Sequence, residues 1–218
     1  MARADGPPRP PALAEELEVV APSALDHDAR CAGVLLSGVE LPAQVARGVA
    51  VRASRIEDAD LAGSRLDAVA LADVELARCN LANVRAPRAH GRGVVLTGCR
   101  LTGAVLTDAT LEDVTLRGCR IDLASFAGAT LRRVVFDDCL LTQTDALEAR
   151  LEFVRFDGCD LTGADLRGAR LTRCELRDCT LDGLQGVEAL RGSAMPWPDI
   201  VAQAGLWAGA LGITSLDD

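Results

Sequence analysis

Large apolar side chains recur at every fifth position over most of this chain. The series runs Ile56, Leu61, Leu66, Leu71, Leu76 and Leu81, then Leu96, Leu101, Leu106, Leu111, Leu116, Ile121, Phe126, Leu131, Phe136 and Leu141. It resumes at Leu151 and ends at Leu181. Two places before each centre stands a small or β-branched residue, as at Ala59, Ser64, Val69, Val74 and Cys79. On an α-helix, residues five apart are rotated by about 140°, so these leucines would smear around the cylinder. Along one straight strand an odd period sends successive side chains to opposite faces. All of them face one interior only if the chain bends once per pentad. The centre and the residue two before it then share the inner side. Four such pieces close a square coil of twenty residues.

A twenty-residue coil predicts columns of like residues, and the columns exist. Positions 79, 99, 119, 139, 159 and 179 are all Cys; 89, 109, 129, 149 and 169 are all Ala; 74, 94, 114, 134 and 154 are all Val. Stacked layers produce such sorting because each side chain packs on its equivalent one storey up. Leu61, Leu101, Leu116, Leu161 and Leu181 are therefore read as stacked core. Cys99, Cys119, Cys139 and Cys159 are read as small buried spacers.

The pentads Ala59-Asp60-Leu61, Cys79-Asn80-Leu81, Cys159-Asp160-Leu161-Thr162-Gly163 and Ala164-Asp165-Leu166-Arg167-Gly168 resemble those of the pentapeptide-repeat family, over roughly residues 34 to 184. The resemblance implies an all-β fold, a right-handed quadrilateral parallel β-helix. Gly recurs two places after the centre, as at Gly103 and Gly163, where a corner of positive φ is expected.

The repeat sets the domain boundaries. Residues 1–30 are expected to be a disordered Pro-rich tail and a short cap, with a possible helix among Leu13, Leu17, Val19, Val20 and Leu25. Residues 31–184 form the β-helix, and residues 185–218 a C-terminal helical cap. Ile200, Val201, Leu206, Trp207, Leu211 and Ile213 follow Pro196 and Pro198 with the spacing of one amphipathic helix of about 12 to 15 residues. Family resemblance also implies that this end can join two copies, with Trp197 and Trp207 at the contact. Ala86 and Gly91 occupy centre positions, so a kink or bulged loop is expected at 85–91. Ala146 marks a second weak point.

Composition agrees with a narrow interior: four Phe, two Trp and no Tyr in 218 residues. No apolar run resembles a signal peptide or is long enough to cross a membrane. Eight cysteines raise the question of metal. A straight column of thiols spaced about 4.8 Å does not converge on one point as zinc requires, and Cys174 and Cys179 alone make two ligands. Reduced, buried thiols point to the cytoplasm. The two histidines, His27 and His90, lie outside any nucleophile, Walker or dinucleotide motif. Carboxylate pairs such as Glu112-Asp113 fall on the outer surface. No enzyme activity and no cofactor are expected.

Function is therefore sought on the outside. Val95, Val105, Leu123, Val135, Leu140, Leu147 and Phe153 should point outward. They form either a seam covered by the N-terminal segment or a strip for a partner. The leading expectation is a rigid protein-interaction scaffold for an unknown protein partner, with neither direct nucleic-acid binding nor membrane attachment. The alternative, implied by the resemblance, is a DNA-mimicking protein that binds DNA gyrase, of the quinolone-resistance or self-resistance type. Between residues 54 and 183, 21 acidic residues face 17 Arg. Over roughly 30 Å that balance is far thinner than the one charge per about 1.7 Å of duplex DNA.

Overall fold

A computed structural model describes residues 6–19 and 26–214. The chain winds into a parallel β-solenoid of about eight coils, ending in short helices. After β1 (Glu18–Val19) come β2 (Arg30–Ala32), β3 (Val34–Ser37), β4 (Val45–Arg47), β5 (Ala50–Glu57), β6 (Arg65–Asp67) and β7 (Ala70–Ala77). The ladder continues with β8 (His90–Thr97), β9 (Thr110–Arg117) and β10 (Thr130–Asp137). It closes with β11 (Arg150–Glu152), β12 (Arg155–Asp157), β13 (Arg170–Thr172) and β14 (Glu175–Arg177).

Every pairing within the coils joins residues twenty apart: Leu96 lies on Leu116, Leu116 on Phe136, and Phe136 on Phe156. Two adjoining walls carry the long strands. The other two are held by single bridges, apart from the β4–β6 pair in the first coils; one unbroken series runs from Glu40 through Asp60, Asn80, Arg100, Arg120, Leu140 and Asp160 to Thr180.

The corner explains the period. From Asp28 to Gly183 every fifth residue has positive φ, between 47° and 70°, whether or not it is glycine. Its amide donates to the next coil, as Asp58 does to the Ala77 carbonyl and Arg78 to that of Thr97. A left-handed residue other than glycine costs on the order of 1 kcal/mol. The ladder bonds and the burial of a Leu at each centre, worth about 2 kcal/mol, offset it. The residue before the centre supports the turn: side-chain oxygens of Asp60, Asn80, Asp160 and Asp165 accept the backbone amide two residues on. That is the physical content of the Asp/Asn position in the repeat.

The expected core is where the period puts it. Leu61, Leu101, Leu116, Leu161 and Leu181 are buried, as are Cys99, Cys119, Cys139 and Cys159. Cys79, Cys99, Cys119, Cys139, Cys159, Cys174 and Cys179 are buried free thiols.

The expected kink at 85–91 is absent. Arg85 bridges Arg65 and Val105, and Gly91 pairs with Leu71 and Leu111 in register. Ladder bonds use only the backbone, so a missing side chain leaves the register intact and empties the interior instead. A cavity of about 140 Å³ runs along the interior there, its walls extending from Val49 to Phe126 and including Ala86 and Gly91. Ala146 leaves only about 30 Å³ in its own region. Phenyl rings fill that region: Phe136 meets Phe126 edge-on at 6.4 Å and stacks on Phe156 at 5.0 Å.

Both ends of the ladder are covered. At the first coil, β1 adds in parallel to β3. Residues 12–19 form no helix, contrary to the expectation for Leu13, Leu17 and Val19; Val20 and Leu25 lie outside the described residues. At the last coil a 3-10 helix (Val187–Leu190) leads to Ala194, which bonds backbone-to-backbone with Cys174 and Leu176. The expected single C-terminal helix is two, α1 (Trp197–Ala202) and α2 (Ala204–Ala210), broken at Gln203. There Gln203 turns its side chain to donate to the Cys179 carbonyl, and the Trp207 indole donates to Ile200 O at 2.8 Å.

Candidate functional site

The N-terminal segment is ordered against the solenoid rather than free. The Ala14 amide donates to Ala53 O, that of Ala12 to Asp73 Oδ1 and that of Arg9 to Asp113 Oδ1. Residues 53, 73, 93 and 113 are one corner column, so the segment climbs that corner. Half-buried Pro8, Pro11, Ala14 and Leu17 recur every third residue. That is the repeat of polyproline II, whose three residues advance about 9.3 Å, close to the height of two coils. Asp73 and Asp113 stand two coils apart and accept amides three residues apart.

Asp113 is the electrostatic centre of this corner. It is 2% exposed, and both its oxygens take the Arg133 guanidinium, at 2.7 and 2.8 Å. That guanidinium holds the Asp113 carboxyl below the usual carboxylate range, against the effect of burial. Asp58 is lowered in the same way by Arg78, one coil above it. Neither Asp73 nor Asp113 was singled out from sequence as a tail anchor. The available signal was an Asp at alternate coils of one column opposite a Pro-rich segment.

The outward apolar residues divide into three kinds. Leu123, Leu140 and Leu147 are exposed, by 58%, 41% and 40%, on the two bridge-held walls. The N-terminal segment does not cover them, so the expected seam fails for these three. Val135, between the inward Val134 and Phe136 and outside the core cluster, is nonetheless buried at a ladder position between Thr115 and Arg155; Val95 and Val105 are half-buried. Phe153, half-buried at a left-handed corner, lies under the Arg173 guanidinium at 5.2 Å.

At the C-terminal end Trp197 is 74% exposed, and Val201, Leu211 and Ile213 are exposed with it. Trp207 is different: with Met195 and Leu206 it packs against the core, pinning the cap. The two tryptophans therefore face opposite ways, one inward and one to solvent.

Charges on the outer walls alternate along the axis. Arg132 lies 3.5 Å from Glu112 on one side and 3.5 Å from Glu152 on the other. Arg55 pairs with Glu75, and Arg117 with Asp137. Among the described residues no group of three or more His, Cys, Asp or Glu is placed to hold a metal. No helix there is long and apolar enough to cross a membrane. Burial pushes the Cys174 and Cys31 thiols above their ordinary value.

Comparison with known proteins decides the family. The family model described as pentapeptide repeat region matches residues 69–141 and 119–185. The chain belongs to the pentapeptide-repeat family. Among solved structures it is similar to HetL, a pentapeptide-repeat protein involved in heterocyst differentiation regulation in the cyanobacterium Nostoc sp. strain PCC 7120. That match has 19% identity over 79% of this chain and 90% of HetL, with a TM-score of 0.39. It is also similar to full-length QnrB1, a plasmid-mediated fluoroquinolone resistance protein, with 19% identity over 82% of this chain and all of QnrB1, TM-score 0.38. No curated protein sequence matches it.

Proposed function

We propose that this pentapeptide-repeat protein is a non-enzymatic, cytoplasmic scaffold that docks a protein partner on the two bridge-held walls and pairs with a second copy through its C-terminal cap. The observation that carries the reading is the exposure of Leu123, Leu140 and Leu147 on a fixed backbone, with Leu140 bridged to the coils on both sides and Leu123 and Leu147 each hydrogen-bonded to a neighbouring coil. Each costs hydration where it stands, and a partner that covers them recovers about 1–2 kcal/mol apiece. On the cap, Trp197, Val201, Leu211 and Ile213 supply an aromatic and aliphatic set of the kind that anchors interfaces.

The gyrase-binding alternative has weaker support. A DNA mimic presents negative charge along a continuous face. Here Arg132 separates Glu112 from Glu152, and Arg55 and Arg117 neutralise their acidic partners one coil away.

Quantitative affinity capture tests the scaffold reading, with the wild-type chain compared against a Leu123→Ser, Leu140→Ser, Leu147→Ser variant. A protein retained by the first and lost from the second supports docking on these walls. Identical retention by both removes it. A gyrase supercoiling assay with quinolone is expected to show no protection at micromolar protein; protection would favour the alternative.

A further inference from the structure

Gly91 stands where the column supplies Leu71, Leu111, Leu131 and Leu151. Its φ lies outside the left-handed region, so no backbone requirement calls for glycine there. Ala86, one wall earlier, likewise replaces the Leu66 and Leu106 of its column. What the two residues do is leave space. The chamber holds about 140 Å³, against about 30 Å³ in the coils where Phe126, Phe136 and Phe156 fill the tube. Leu66, Leu71, Leu106, Leu111, Val94 and Phe126 are among its walls. Leu111 already leans toward Gly91, its Cδ2 only 3.0 Å from where a Cβ would sit, and the chamber remains.

Hydrocarbon walls offer a water molecule none of the two to four hydrogen bonds it needs. Apolar cavities of about 150 Å³ stay dry and take up benzene or xenon. Drug-sized ligands need about 300 Å³ or more, so this chamber selects by size as well as polarity. We propose that it is a binding site for one small, uncharged, apolar molecule of benzene size or less. The ligand enters by transient opening of the ladder, since the chamber lies inside the tube.

Benzene titration followed by thermal melting, with 129Xe NMR on the same full-length chain, tests this. The wild-type chain is expected to show a saturable rise in Tm of about 2 °C with benzene and a saturable xenon shift. Gly91→Leu, which restores the column residue, is expected to abolish both. Ala86→Leu serves as the second filled variant should Gly91→Leu fail to fold. No saturable response in the wild-type chain overturns the proposal. An undiminished response in a folded filled variant does so too, because binding would then lie elsewhere.

Discussion

The Arg133 guanidinium forks onto the Asp113 carboxylate across one coil, with Nε to Oδ1 at 2.7 Å and Nη2 to Oδ2 at 2.8 Å. Both residues are left-handed corners of the same column. The pair therefore ties two coils together while Asp113 also accepts the Arg9 amide of the climbing N-terminal segment.

Asp113→Ala is expected to lower stability by about 2 kcal/mol, because it removes a charge-assisted acceptor and leaves the partly buried Arg133 guanidinium with Glu112 alone. Amide hydrogen exchange at Arg9 and Ala12 reads the local effect. Exchange at Arg9 should rise about tenfold or more, the equivalent of one such hydrogen bond. Ala12, held by Asp73, should change less. Equal protection at Arg9 in both proteins would show that the segment is held by something else.

Acid should act through the same carboxylate. Its folded pKa lies below the ordinary value of 3.8, so its contribution is fully present above that value. The contribution is lost as pH falls through the lower folded value. Protection at Arg9 is expected to be constant from neutrality down to about pH 4 and to drop below it. A loss near pH 6 would point to a different group.

Two glycines should respond very differently to a side chain. A Cβ on Gly186 would lie 2.5 Å from the Arg167 amide nitrogen and 2.6 Å from the Leu166 carbonyl carbon, so backbone must move. Gly186→Ala is expected to cost about 3 kcal/mol and to loosen the cap from Val187 onward. Gly118 is also left-handed but meets nothing within 4 Å. Gly118→Asn should cost about 1 kcal/mol or less. Thermal melting and proteolysis of the cap compare the two.

Leu116→Asp is expected to unfold several layers. Leu116 is 3% exposed, between Leu96 and Phe136, and a carboxylate there has no partner. The loss should exceed about 4 kcal/mol. A variant that melts like the parent would contradict the interior assigned to this column.

The cysteine column supplies an independent check of the interior. Each Sγ of Cys99, Cys119, Cys139 and Cys159 lies 3.4–3.7 Å from two backbone carbonyls, one two residues back and one in the coil before. A thiol reagent is expected to modify these four only after denaturant is added.

Leu, Cys, Ala and Val columns made the coil legible in the sequence, because side-chain volume is what stacked layers sort. The same logic misled at Ala86 and Gly91, where missing volume was read as a broken backbone. Ladder bonds are indifferent to side-chain size, so the defect became a chamber instead of a bulge. The N-terminal segment was read from its prolines as disordered, yet a polyproline repeat matched to coil height lets Asp73 and Asp113 hold it. Exposure of Leu123, Leu140 and Leu147 was legible, since it follows from their place in the pentad. The burial of Val135 and the packing of half-buried Trp207 against the core were not, because they depend on neighbours in other coils and in the cap.

Rigidity along the axis underlies both the scaffold reading and the interior chamber. Spin labels at Glu40→Cys and Thr180→Cys, with Cys31→Ser to remove the half-buried thiol, mark the two ends of the unbroken bridge series. Seven steps of about 4.8 Å place them about 34 Å apart. Double electron–electron resonance should return one narrow distance distribution near that value. A broad distribution, or a main distance below about 25 Å, would mean that the rod bends or slips register, and the account would fail.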